Sequence, residues 1–206
     1  MPTLANAAAR LKAASRMRSK HRRLPSLWLM TDAVRLSEPL AAVDRLPRGS
    51  GVIVRHTDAT ARRRIGRAVA AICRRKGLIC LIATDWRLAA QLRADGVHLG
   101  EAAARFGASA PMHMWRRTTG RMLTVAAHGD RAWVAGARWK PDALIVAPVF
   151  PTASHPDKPA LGPLRCARLT KRISVPVIAL GGMTTARAIR LVGSGVAGVA
   201  AIGALA

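Results

Sequence analysis

Val177-Ile178-Ala179-Leu180-Gly181-Gly182-Met183-Thr184-Thr185 is an apolar run that ends abruptly in two glycines and then in hydroxyl side chains able to start a helix. Four consecutive apolar residues without alternation suit a strand covered on both faces, as in parallel sheets. The next apolar run, Gly195 to Ile202, again ends in glycine, at Gly203. Working back toward the N-terminus, comparable runs lie at Leu27 to Met30, Val52 to Arg55, Leu78 to Ala83, Gly96 to Leu99, Met122 to Ala127 and Ala143 to Val149, with Val175 to Leu180 holding the quoted stretch. Helical segments are expected between them, over Glu38 to Leu46, Ala59 to Lys76, Trp86 to Ala94, Asp130 to Trp139, Leu164 to Ile173 and Thr184 to Gly193. Gly107, Pro111 and Gly120 interrupt the connection from Glu101 to Arg121 and leave its form open.

Eight strands alternating with helices make either a closed TIM (β/α)8 barrel or a doubly wound sheet. Asp58, Asp85 and Thr185, each just beyond a strand, can cap the following helix and fit the barrel. The fold class expected is therefore α/β, a short (β/α)8 barrel over residues 26–206, preceded by a basic arm over residues 1–25. The chain ends four residues after Ile202, so the eighth helix is expected to be missing. Leu4, Ala7, Ala8, Leu11 and Ala14 recur at helical spacing and are expected to pack a helix on the barrel in its place.

The composition narrows the partners. With 50% hydrophobic residues, a chain of 206 residues can bury a core and is no disordered polyelectrolyte. Lys and Arg number 34 against 10 Asp and Glu, a net charge of +24. The basic residues crowd into the acid-free first 25 positions and into Arg62 to Lys76, where they share a helix with Ile65, Ala68, Val69 and Ile72 and read as its solvated face. Two Phe and no Tyr leave little to stack on bases, and no DNA-binding or RNP pattern is present, so sequence-specific nucleic-acid binding is not expected. Neither a membrane span nor a signal peptide is legible, which points to a cytoplasmic protein without a membrane partner. Cys73, Cys80 and Cys166 lack disulfide or metal-ligand spacing and read as isolated thiols.

Barrel chemistry sits where strands run into the following helices. Those positions hold Thr31 and Asp32, Arg55 and His56, Thr84 and Asp85, Glu101, His128, Thr152 with Ser154, His155 and Lys158, Gly181 with Gly182, and Gly203. The glycines beside Met183 and Ile202 let backbone N–H groups turn toward an anion, and the last two strands are where barrels commonly hold phosphate. His98 lies within a strand and reads as structural. Trp28, Trp86 and Phe150 read as packing residues.

Asp95-Gly96-Val97-His98-Leu99-Gly100 resembles the signature of the thiamine phosphate synthase and TenI family, as do Leu29 to Asp32, Ala147 to Thr152, Gly162-Pro163 and Ala179 to Met183, in the same order. The resemblance runs from about Leu27 to Ala204 and implies a (β/α)8 barrel. It implies one of two reactions: coupling of a hydroxymethylpyrimidine diphosphate to a thiazole phosphate with Mg²⁺ and release of pyrophosphate, or metal-independent tautomerisation of a thiazole phosphate. A third implied reading is a non-catalytic barrel that only binds the phosphate. By the same resemblance Arg55, Thr152 and Ser154 contact substrate, Gly181, Gly182, Ile202 and Gly203 hold phosphate, His128 transfers a proton, Asp85 matches the first metal-binding aspartate, and Glu101, on the signature's glutamine, is the nearby carboxylate that could replace the second. The family's second metal aspartate falls on Ala103, and its diphosphate-binding lysine on Thr57. The partners implied are these small phosphorylated molecules; association between copies of the chain is left open.

Overall fold

The computed structural model describes residues 3–15, 24–106, 110–152 and 159–205. Its elements, in order, are α1 (Leu4–Ala14), β1 (Leu27–Met30), α2 (Leu40–Arg45), β2 (Gly51–Val54), α3 (Ala59–Lys76), β3 (Ile79–Ala83), α4 (Trp86–Gln91), β4 (Gly96–Leu99), α5 (Glu101–Phe106), α6 (Ala110–Thr119), β5 (Met122–Ala127), α7 (Asp130–Ala137), β6 (Ala143–Val146), α8 (Gly162–Arg172), β7 (Val177–Leu180), α9 (Thr185–Ile189) and β8 (Gly198–Ala201). All eight strands pair in parallel, each with its neighbour in sequence, and β8 closes on β1 through Leu27↔Val199 and Trp28↔Ala200. The fold is thus a closed (β/α)8 barrel, and the doubly wound alternative falls away. Nearly every strand residue is buried, as the unbroken apolar runs require of strands with side chains on one face inside the barrel and on the other under helices.

The strands stop earlier than their apolar runs. Val149 lies beyond β6 because the chain turns at Pro148, and β7 begins only after Pro176, which has no N–H to donate to a ladder. The open connection after β4 resolves into two helices, α5 and α6. Asp58 and Asp85 cap α3 and α4 by accepting the Ala61 and Leu88 amides at 2.7 and 2.9 Å. At α9 the cap is Thr184, whose hydroxyl accepts the Arg187 N–H at 3.3 Å, and Thr185 is the first helical residue.

α1 lies against α9, β8 and β1. Leu4, Ala7, Ala8 and Leu11 belong to the same continuous core as the barrel, whereas Ala14 faces solvent. Thr3 caps the helix, and Lys12 Nζ and Ser15 Oγ donate to the carbonyls of Leu24 and Gly195, which fix its far end. Burying Leu4 and Leu11 is worth about 1.5 to 3 kcal/mol each. The three cysteines are buried and unlinked, and among the described residues no helix is long and apolar enough to cross a membrane.

Candidate functional site

A cleft of about 270 Å³ opens at the C-terminal ends of the strands, lined by Arg35, Arg55, His128, Thr152, Gly181, Gly182, Ile202 and Gly203 among others. Every substrate or phosphate residue expected from the sequence is in this set, apart from Ser154. Ser154, His155 and Lys158 lie outside the described residues.

The β7 end of the cleft is shaped by backbone. Gly181 and Gly182 have φ of +98° and +60°, a left-handed region that costs an L side chain strain. A Cβ on Gly182 would overlap the Pro151 carbonyl oxygen, and one on Gly181 would sit 2.8 Å from Pro148 Cα. That close approach exists because the segment after β6 is hydrogen-bonded to the turn: the Val149 and Phe150 amides donate to the Leu180 and Gly181 carbonyls at 2.9 and 3.1 Å. Arg187 ties the two together by donating to the carbonyl of Gly182 at 2.8 Å and that of Pro151 at 3.4 Å, with its guanidinium over the Phe150 ring. Gly203, by contrast, has nothing within 4 Å of a built Cβ. The space beside it is open to a ligand.

The β1 and β2 sector carries charge. Asp32 is the hub: its Oδ1 accepts the Val34 and Arg35 amides at 3.1 and 3.0 Å, and its Oδ2 receives Arg35 Nη2 at 2.7 Å and Arg55 Nη2 at 2.5 Å. These bonds, that of the Arg35 guanidinium foremost, hold the Asp32 carboxyl far below the usual carboxylate range. Thr31, fully buried, accepts the Arg55 N–H at 2.9 Å and fixes the root of that side chain. His56, next in sequence, is buried with no partner for its Nε2, and burial lowers its pKa. Arg35 carries no motif that would mark it as a cleft residue; the Asp32 turn that redirects it depends on local hydrogen bonds among residues 32–35.

His128, at the end of β5, stands across the barrel from β1. Glu101 Oε2 accepts both the His128 backbone N–H at 3.0 Å and the ring at Nδ1, 2.7 Å away. With Nδ1 as the donor to a carboxylate, Nε2 is left as the acceptor, the arrangement that orients a histidine base. His98 is buried in the barrel, paired with Thr124 Oγ1 at 2.9 Å on the adjacent strand, and burial pushes its pKa down to about 3. It is a structural group, as are Trp28, which donates to the Pro25 carbonyl, and Trp86, which sits against Trp115.

The carboxylates expected to hold Mg²⁺ have other occupations. Asp85 caps α4 and faces Arg62 Nη2 at 3.7 Å, and Glu101 is bonded to His128. Among the described residues no three His, Cys, Asp or Glu side chains gather where they could hold a metal ion. Mg²⁺ in phosphate chemistry is held through one or two carboxylates together with substrate oxygens and water, and Asp85 and Glu101 are the carboxylates at these strand ends that could supply the protein's share.

The fold and the position of the cleft define the class, a (β/α)8 barrel whose site opens at the C-terminal face. The family model described as thiamine monophosphate synthase matches residues 27–205, and the chain belongs to that family. It is 34% identical over 190 residues to a thiamine-phosphate synthase of Salinispora arenicola, covering 88% of this chain and 89% of that one. It is also 33% identical over 144 residues to the thiamine-phosphate synthase of Geobacillus kaustophilus, covering 69% of this chain and 63% of the relative. The structure is similar to thiamine phosphate pyrophosphorylase from Pyrococcus furiosus, with a TM-score of 0.68 at 19% identity over 89% of this chain and 88% of the other. That likeness is one of fold.

Proposed function

We propose that the protein is a cytoplasmic enzyme of thiamine biosynthesis that couples a hydroxymethylpyrimidine diphosphate to a thiazole phosphate. One observation carries this reading: a single cleft offers glycine backbone at β7 and β8 for one anion and two guanidiniums at β1 and β2 for another. In the coupling, the thiazole nitrogen attacks the pyrimidine methylene carbon, a C–N bond forms, and the C–O bond breaks with its electron pair leaving on pyrophosphate. Gly182 and Gly203 would hold the thiazole phosphate, Thr152 and Ser154 would orient the reacting centre, and Arg55 would balance charge on the departing pyrophosphate. Family membership supports the reaction class. The test is direct assay of the purified protein with both precursors, with and without Mg²⁺. Thiamine phosphate and pyrophosphate formed in equal amounts support the reading, and their absence under both conditions removes it.

A second reading rests on the His128–Glu101 pair. Coupling requires no proton shuttle, whereas a histidine oriented by a carboxylate suits metal-independent isomerisation of a thiazole phosphate. Isomerised thiazole phosphate formed in the absence of the pyrimidine substrate would favour it. A non-catalytic binder would show neither product.

A further inference from the structure

The outer wall of the barrel holds a second cavity, as large as the cleft at the strand ends and sharing none of its residues. α7 packs on α5, β5 and β6, and between it and α8 a groove of about 280 Å³ opens. Its apolar surface comes from Trp133 and Leu169, which are buried, and from Val134, which is 58% exposed at the rim. The other wall is cationic: Arg165, Arg168 and Arg172 recur at helical spacing along α8, and all three line the groove. Like charges three and four residues apart disfavour a helix, and Asp130 offsets only Arg165, at 3.3 Å. Arg172, in the last turn, suits the negative end of the helix, but Arg168, in its middle, has no carboxylate partner among the described residues. Trp133 Nε1 is buried with no acceptor among the described residues, although a buried donor is costly to leave unpaired.

An apolar floor beside guanidiniums that lack carboxylates selects a ligand with both an apolar and an anionic part. A cavity of this size lies just below the usual range for drug-sized ligands, so the apolar body is one ring or a short chain. We propose that the groove between α7 and α8 binds a small amphipathic anion, a phosphate or carboxylate head on an aryl or short alkyl body. The head lies against Arg168 and Arg172, and the body against Trp133, Leu169 and Val134. This site is separate from the cleft and independent of the reaction performed there.

The experiment is calorimetric titration of the whole protein with phenyl phosphate and, separately, with benzoate, which distinguishes the two heads. Inorganic phosphate and benzyl alcohol supply a head and a body alone, and each binds at least about tenfold more weakly than the better of the two amphipathic anions. Arg168→Gln removes a charge-assisted hydrogen bond and weakens that anion by about tenfold. Val134→Asp sets a negative charge at the exposed rim and weakens it by about fivefold or more. Arg67→Gln, an exposed position of α3 outside both cavities, leaves affinity within about twofold. Binding that neither groove variant changes overturns the proposal, because the ligand then sits elsewhere, the cleft at the strand ends included. Equal losses in Arg168→Gln and Arg67→Gln also overturn it, since they mark general attraction to the basic surface, and so does the failure of both anions to bind the whole protein. Val134 and Arg168 are exposed, so both variants should keep their melting temperature, and the two act independently if one does not.

Discussion

Glu101 Oε2 lies 2.7 Å from His128 Nδ1 and also accepts the His128 backbone N–H, so one carboxylate oxygen fixes both the ring and the strand end that carries it. The two residues are 27 positions apart and meet because β4 and β5 are neighbours in the barrel.

If this pair moves protons, His128→Gln abolishes ring-proton exchange in thiazole phosphate, followed by NMR in deuterated water, and leaves phosphate binding intact. Glu101→Ala should slow exchange by about 10²-fold, within the range for a positioned acid–base group. Exchange at the wild-type rate in His128→Gln would remove the pair from any proton transfer.

The two glycine ends of the cleft respond differently to alanine. Gly182→Ala forces a Cβ onto the Pro151 carbonyl oxygen at a φ of +60°, and stability should fall by about 1 to 3 kcal/mol in urea denaturation. Gly203→Ala meets no protein atom within 4 Å and should keep stability within about 0.5 kcal/mol. A raised KM for thiazole phosphate in Gly203→Ala, without loss of stability, would mark a methyl group standing in the ligand's place.

Leu11 is 1% exposed against the barrel, and Leu11→Ala should cost about 2 to 4 kcal/mol of unfolding free energy. Ala14→Ser, on the exposed side of the same helix, should change it by less than about 0.5 kcal/mol. Equal effects of the two would mean that α1 contributes only local helix propensity.

Stability should fall in mild acid. His98 has a folded-state pKa of about 3 against 6.5 for an exposed imidazole, so between these values the unfolded chain binds a proton that the folded chain refuses. Stability is then unaffected by this group above pH 6.5, declines as pH falls below it, and stops declining below about pH 3. At pH 5 the loss is about 2 kcal/mol. His56, lowered by burial, acts in the same direction. His98→Gln should flatten the slope between pH 6.5 and about 4 even if it shifts absolute stability; an unchanged slope would show that the imidazole is hydrated.

The architecture was legible because burial on both faces writes itself as unbroken apolar runs, and each of the eight stands at an observed strand. Strand ends were less so: Ala147 to Val149 reads as strand by hydropathy alone, since Ala147, Pro148 and Val149 are apolar, but the turn at Pro148 leaves the ladder. Thr184 and Thr185 are chemically identical neighbours, and only the backbone decides that Thr184 is the cap. The cleft residues were visible as glycines and hydroxyls at strand ends. Arg35 was hidden among many arginines until the Asp32 turn brought it to Arg55, and the bond between Glu101 and His128 was hidden because the two are 27 positions apart and meet only once β4 and β5 pair.

The seat of α1 has a consequence for biosynthesis. Ser15 reaches Gly195 across 180 residues, and the helix before it leans on β8 and α9. The earliest described element to leave the ribosome therefore has as its partners some of the last. Until those emerge, Leu4, Ala7, Ala8 and Leu11 have at most β1 to cover them, and the seat of α1 is complete only once α9 and β8 have been made.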